Sequence, residues 1–534
     1  MTGYAATRTV TKPEAVFDRD EAWDALTRFT RDPAPGPRLG VVSGRLRQGK
    51  TYLLEALAES VDGGFLFCAD DAVEAESLRR LGEELARHTG GAQGPQRPPP
   101  RDWGEALDAL LALGARRPEP VPVVLDEFPR LVAQSPALAA ALLAAFRRYA
   151  DVTERAGGSG GPGGPGGTGG SGGTGGTGGG RARLLLSGSS HPVMRRLFCG
   201  PSPLKALVAL DLEVRPFGFR EAARFWGIDD HRLALRVHAV VGGTPAYRRA
   251  FVGGRVPEGP DDFDAWVCGT ALDPRTPLFH EAPRLVHEEA DRGDRALCHS
   301  VLAAVALGAS TPGEVAGRVG ASLGDVSHAL ALLQDCELLR AEPDALRPHL
   351  TRLRVAEPLL AFDHAVVRPY RTLLERDADG GRGGVAAEVW SRARETFEST
   401  VARADFAEVC RAWVREHATP DTFGAVPGQV GYGSLAGPGE PGAEVVVRGQ
   451  EQVPGDGRPG PLLSVGLARW GEVMDVHHLE WLRRLTGLLA ERGEDVGRTV
   501  LVCYSSAGFG PALRAAETEG AVTLVGADRL YRGG

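Results

Sequence analysis

Lysine is nearly missing from this 534-residue chain: Lys12, Lys50 and Lys205 are the only ones among 61 basic residues. Acidic residues number 69 and the formal net charge is -8, so the sequence has no general attraction for nucleic acid or an anionic membrane, and either would need a local patch. Paired cysteines are missing too. Cys68, Cys199, Cys268, Cys298, Cys336, Cys410 and Cys503 are scattered, odd in number and never spaced C-x-x-C, which argues against a disulfide framework or a cysteine zinc site and for a reducing compartment. No run of about 18 apolar residues occurs. Met1 to Glu14 lacks the basic-then-apolar pattern of an export signal, and the expectation is a soluble cytoplasmic protein without a membrane partner. The length predicts roughly three or four domains.

Scarce lysine makes one of its appearances informative. Gly44-Arg45-Leu46-Arg47-Gln48-Gly49-Lys50-Thr51 fits G-x-x-x-x-G-K-[ST], a match this composition gives by chance on the order of once in a couple of hundred such sequences. An apolar run, Leu39 to Val42, leads in as a strand, and Tyr52 to Ser60 leads out as an amphipathic helix. Glycines let backbone N–H groups close around a polyphosphate, and the helix N-terminus adds partial positive charge. Lys50 would bridge the terminal phosphates and the Thr51 hydroxyl would ligate Mg²⁺. Gly44, Gln48, Gly49, Lys50, Thr51 and Tyr52 are therefore the candidate nucleotide contacts.

Downstream, Gly63 to Cys68 reads as a second strand, and Val121 to Leu125 is an apolar strand ending in Asp126 and Glu127. In such sites the Asp holds the metal ion and the next Glu orients and deprotonates the attacking water. Gly157 to Gly180 is almost pure glycine with Ser, Thr and Pro, a flexible tether. Arg183 to Ser190 is a further buried strand with a polar tip, so the tract is expected to be a surface insertion inside one domain; loop closure costs little more as a loop lengthens. Leu210 to Val214 alternates as an edge strand, and Phe219 to Trp226, Asp230 to Val241 and Thr244 to Ala250 follow as short helices.

The order of landmarks is distinctive: Phe17-x-Arg19-x-Glu21, the phosphate loop, Leu125-Asp126-Glu127-Phe128-Pro129, Leu186-Ser187-Gly188-Ser189-Ser190, Ser202-Pro203-Leu204, Arg215-Pro216-Phe217-Gly218-Phe219-Arg220-Glu221-Ala222 and Gly242-Gly243-Thr244-Pro245. Together they resemble the archaeal-type ATPase family, a prokaryotic branch of the AAA+/STAND-like P-loop ATPases, well over about residues 14–280 and more weakly beyond. The resemblance implies a multidomain α/β chain: a P-loop NTPase parallel sheet (17–217, after a disordered 1–16 and interrupted by the 157–180 insertion), a helical lid (218–282), a winged helix-turn-helix (283–354) and a C-terminal endonuclease-like α/β domain (355–534). It implies ATP and Mg²⁺ as cofactors, Thr51 and Asp126 on the metal, Glu127 on water, Ser187 or Ser189 as sensor, and Phe17 and Arg19 near the adenine. A protein partner and a homo-oligomer belong to the same expectation. Relatives tend to carry an Arg shortly after Ser-Pro-Leu; here only Lys205 is offered, with Arg195 and Arg196 as weaker substitutes.

In the second half, Ala296 to Leu307, Thr311 to Val319 and Leu323 to Cys336 predict three helices followed by a wing, with Thr311-Pro312 as N-cap and first helical residue. The recognition helix, Leu323 to Asp335, has no Lys or Arg, which weakens DNA as a partner although flanking Arg318, Arg340, Arg347 and Arg352 leave it open. Active nucleases of the class resembled by the last domain carry an acid on one strand and E-x-K on the next. Glu444 suits the first position, but Leu467 and Arg469 stand at the second, and an apolar side chain cannot ligate a hard cation. A domain that does not cut is expected.

Overall fold

β1 (Arg38–Ser43) is the strand that delivers the phosphate loop, and its neighbours explain why it is apolar throughout. In the computed structural model, which describes residues 10–90, 98–117, 119–157, 181–189, 191–289, 295–380, 384–435, 442–450 and 459–533, the chain divides into two compact units, Met1–Arg215 and Pro216–Gly534. Of residues 1–16, expected to be disordered, 1–9 lie outside the described residues, as do most of the glycine tract and Ser190; residues 10–16 are described, and Val16 is buried in the core of unit 1.

Unit 1 is built on β1, β2 (Phe65–Cys68), β3 (Val121–Asp126), β4 (Ala182–Gly188) and β5 (Val208–Glu213), in the order β2-β3-β4-β1-β5 with all pairs parallel. This is the P-loop NTPase arrangement in which one strand separates the loop strand from the acidic strand. That strand is β4, the segment following the glycine tract. It pairs Arg38↔Arg183 through Ser43↔Gly188 on one side and Val121↔Ala182 through Leu125↔Leu186 on the other. Its central place accounts for complete burial, whereas β5 alternates half-buried and exposed, as suits an edge strand. Arg183, fully buried, donates from its two terminal nitrogens to the carbonyls of Gly36, Asp32 and Ala34, which ties the turn before β1 to the sheet.

The two sheet faces bury separate sets. Leu39, Val41, Phe67, Val123, Leu125, Leu184 and Leu186 pack with Trp103, Leu107, Leu131 and Leu142 on one face. Val42, Val124 and Leu185 pack with Trp23, Leu26, Phe29, Leu53, Leu54 and Leu57 on the other. Strand alternation and the helical i, i+3, i+4 spacing meet there, each large side chain contributing about 1.5–3 kcal/mol by leaving water. The first helix starts at Asp20, because Asp18 and Arg19 have φ of 52° and 66° and cannot belong to it. Helices Phe128–Gln134 and Leu138–Gly157 were not anticipated.

Unit 2 opens with helices Phe219–Trp226, His231–Val241, Phe263–Gly269 and Pro277–Glu289. Next come Arg295–Ala306, Pro312–Val319 and Leu323–Asp335, then β6 (Leu339–Pro343) paired antiparallel with β7 (Thr351–Val355): a winged helix. Thr311 and Glu314 close the capping box at the second helix. After Val385–Thr396 and Arg403–Glu416, a mixed sheet runs β12-β11-β10-β9-β8, from β8 (Pro427–Ser434), β9 (Gly442–Gly449), β10 (Leu462–Arg469), β11 (Val500–Ser505) and β12 (Thr523–Gly526). β8, β9 and β10 are antiparallel; β10, β11 and β12 are parallel. β8 forms in a stretch dense in glycine, with Gly428, Gly431 and Gly433 inside the strand. Gly433 leaves room for a neighbour: a Cβ there would lie 2.6 Å from Leu346 Cγ. Among the described residues no single helix is long and apolar enough to cross a membrane.

Candidate nucleotide site

The phosphate loop takes its shape from positive φ at Gly44, Arg47 (68°) and Gly49, which only the two glycines adopt freely. Gly44 has φ of 149°, and a Cβ at this position would sit 2.3 Å from the Val214 carbonyl oxygen, so only glycine fits between β1 and the exit from β5. Gly49, with φ of 86°, turns the chain into helix Lys50–Ser60, whose N-terminal N–H groups face the loop. Lys50 is almost fully buried, and its ammonium donates to the carbonyls of Gly44 (2.8 Å) and Arg45 (2.9 Å).

Opposite the loop stands the carboxyl end of β3. The Thr51 hydroxyl donates to Asp126 Oδ2 at 2.5 Å, bringing together two residues 75 positions apart. Asp126 is fully buried, and its Oδ1 has no hydrogen-bond partner among the described residues. A buried carboxylate oxygen left in that condition is costly unless a cation completes it, so Thr51 and Asp126 fit Mg²⁺, which takes few protein oxygens and keeps several waters.

Glu127 sits at φ of 53°, a conformation non-glycine residues rarely adopt, at the N-cap of helix Phe128–Gln134. The twist aims its carboxylate at β4: Ser189 Oγ donates to Oε2 at 2.9 Å, and Arg130 Nε lies 4.0 Å away. The approach is close enough that a Cβ on Gly188 would meet Pro129 Cδ at 2.6 Å. Ser187 is fully buried at the end of β4 and its hydroxyl has no hydrogen-bond partner among the described residues. The structure thus gathers Lys50, Thr51 and Asp126 at one point and Glu127 with Ser189 beside them.

Arg19 reaches the loop from the N-terminal side. Its guanidinium donates to the carbonyls of Gln48 (3.2 Å) and Arg215 (2.6 Å), and burial lowers its pKa to about 10, leaving it charged at neutral pH. Tyr52 is about half exposed and its hydroxyl donates to Ala15 O, so it braces the N-terminal segment that carries the part-buried Phe17. Two neighbours escaped the sequence reading. Cys68 stands opposite Asp126 in the β2–β3 register with Sγ 3.9 Å from Oδ2; burial and the Asp126 and Glu127 charges push its thiol up to about 11, keeping it neutral. No local pattern marks it. Arg130 did have a signal, the i, i+3 spacing from Glu127 on a helix.

In unit 2, Glu444 Oε1 accepts from Arg469 Nη1 at 2.8 Å and Oε2 accepts from the Ala468 N–H at 3.2 Å, while Leu467 is buried in the sheet.

No family model matches the chain, and no curated protein matches it. Among solved structures, the Aeropyrum pernix ORC2 protein in its ADPNP–ADP complexes is 18 % identical, covers 69 % of this chain and 99 % of its own, and superposes with a TM-score of 0.40. Cdc6p from Pyrobaculum aerophilum is 13 % identical over 69 % of this chain and 97 % of its own at 0.29. The Aeropyrum pernix ORC1 protein in complex with DNA is 13 % identical over 68 % and 95 % at 0.27. At such TM-scores the likeness leaves the assignment to the strand order and the side-chain geometry of this chain.

Proposed function

We propose that unit 1 binds Mg-ATP and hydrolyses it slowly, as a regulatory ATPase whose nucleotide state rearranges the helical, winged-helix and C-terminal parts of unit 2. The Thr51–Asp126 contact supports this most directly, because it puts a buried, half-satisfied carboxylate beside the phosphate loop. Gly44, Gln48 and Gly49 supply backbone N–H groups to the phosphates. Lys50 exchanges its two loop carbonyls for phosphate oxygens, which replaces neutral acceptors by charged ones. Mg²⁺, held by Thr51 and Asp126, would neutralise phosphate charge as the bond to the leaving group stretches. Glu127 takes the proton of the attacking water, and Ser189 holds its carboxylate in place until then. Ser187 is the sensor at the tip of β4. Phe17 and Arg19 border the adenine side.

Turnover is expected to be slow because no arginine lies between Leu204 and Val214. Phosphate release from the wild type and from Glu127→Gln tests the enzyme reading. A loss of about 10²-fold or more is expected for a general base; equal rates with ATP binding intact would select a nucleotide-gated scaffold instead. Failure of the wild type to retain ATP, or equal retention by Lys50→Ala, would overturn the site.

The C-terminal sheet we read as nuclease-like and non-cutting: Arg469 already neutralises Glu444, and Leu467 offers no ligand. The winged helix is read as a protein-contacting module, since the exposed part of Leu323–Asp335 presents Leu323, Asp325, Ser327 and His328 and no cation for a phosphate backbone. A duplex shifted at low salt would overturn that assignment in favour of a DNA-associated ATPase.

A further inference from the structure

Beyond the carboxyl ends of the parallel pair β10 and β11, the chain gathers three metal-ligating side chains in a place the nucleotide site does not use. Glu472, His477 and His478 bring one ligand atom each to within 4.8 Å of the others. The two imidazole rings lie 3.8 Å apart between centroids, and His478 Nε2 is 3.1 Å from Glu472 Oε1. Crevices past the ends of parallel strands are where open α/β sheets collect ligands.

The cluster is braced on both sides. Ser505 Oγ donates to the Glu472 carbonyl at 2.8 Å and the Gly471 N–H donates to Ser506 Oγ at 2.8 Å. Met474 exchanges backbone hydrogen bonds with Gly508 and Gly510, which fixes the rest of the 471–475 loop to the segment after β11. On the helix side, His478 is nearly fully buried, and its Nδ1 lies 3.1 Å from the Asp475 N–H and 3.2 Å from the Asp475 carbonyl. Those contacts serve two tautomers. Without metal, Nδ1 accepts from the Asp475 N–H and the Nε2 proton goes to Glu472. With metal on Nε2, the ring proton sits on Nδ1 and is donated to the Asp475 carbonyl, the support that ligating histidines usually have.

We propose that Glu472, His477 and His478 form a binding site for a borderline divalent transition-metal ion, zinc or a close analogue, with solvent completing the coordination. Two imidazole nitrogens and one carboxylate oxygen suit such an ion and not Mg²⁺ or Ca²⁺, which take oxygen. Glu472 and His477 are exposed, so the ion has access and a fourth position stays open. The positive end of helix Val476–Glu491 opposes a cation, but this is a one-turn dipole effect that the Glu472 and Asp475 carboxylates offset. The site binds whether or not unit 1 binds ATP.

Chelator-stripped, nucleotide-free full-length protein titrated with Co²⁺ tests this. Wild type is expected to take up one equivalent with visible d–d absorption, displaced by Zn²⁺ and untouched by excess Mg²⁺. Glu472→Gln with His477→Ala is expected to weaken uptake at least tenfold while the unfolding midpoint without metal stays in place. Asp126→Asn, which disables the Mg²⁺ site of unit 1, is expected to leave the bands unchanged, as is His328→Ala in the winged helix. Absent bands in the wild type, or equal bands in the Glu472→Gln/His477→Ala protein, would overturn the proposal.

Discussion

Two acids, Asp126 and Glu444, stand on the strands of two different sheets, and their partners make them opposites. Asp126 faces a neutral hydroxyl and keeps one buried oxygen without a hydrogen bond among the described residues; Glu444 has both oxygens engaged, one by a guanidinium and one by a backbone N–H. A cation is invited where the negative charge is uncompensated and redundant where an arginine already supplies it. The carboxylate alone therefore says little about metal binding, and the residue opposite it decides.

The largest effects should come from removing the uncompensated side. Lys50→Ala is expected to lower ATP affinity by on the order of 10²–10³-fold, the scale of losing a preorganised charged donor, measured by equilibrium binding of labelled nucleotide. Asp126→Asn should leave the fold intact and abolish Mg²⁺-dependent phosphate release. In the other sheet the comparison can be inverted: Leu467→Glu with Arg469→Lys removes the guanidinium and places an acid-x-lysine pair beside Glu444. On the Glu472→Gln/His477→Ala background, calorimetry is expected to find Mn²⁺ binding that is absent when Leu467 and Arg469 are kept, and no gain of binding would mean that these two residues are not what excludes a cation from Glu444.

Acid should also separate the units. His299 and His364, neighbours in unit 2 with ring centroids 5.6 Å apart, have pKa values lowered to about 4 and about 3, first by burial and then by nearby cations, Arg368 and Arg371. Both are neutral in the fold but protonate near 6.5 when unfolded. The unfolded state thus binds more protons below that pH, so their contribution is complete above about 6.5 and is lost as pH falls toward 4 and 3. Urea unfolding followed by tryptophan fluorescence at pH 7, 6, 5 and 4 is expected to show a falling midpoint, and His364→Leu should flatten the curve. The smallest effect is Arg469→Leu alone, which leaves Glu444 part-buried with only its backbone donor and should cost about 1–3 kcal/mol in the same assay.

The phosphate loop was legible because its chemistry is local: glycines, one lysine and one threonine act within eight residues, and a chain with three lysines seldom produces that string by accident. The acidic strand was legible from its uninterrupted apolar run. β4 could be read despite the tract before it, since Leu184, Leu185 and Leu186 demand burial whatever precedes them. β8 was not legible: Gly428, Gly431 and Gly433 look like loop, and only the closeness of Leu346 and Val446 to Gly433 makes glycine a packing requirement within a strand. The start of the first helix at Asp20 was not legible either, because the left-handed backbone at Asp18 and Arg19 has no compositional mark.

By itself, then, the sequence determined the parallel-sheet class of the first half, the phosphate loop and its acid-bearing strand, and the apolar side chain at Leu467, all of which depend on residue type and near spacing. Tertiary structure alone decided which partner each acid meets, that Arg19 spans Gln48 and Arg215, and that Glu472 converges on His477 and His478. Such contacts join segments whose separation in space is set by strand register and helix packing, and a side chain's charge state follows from what that packing places beside it.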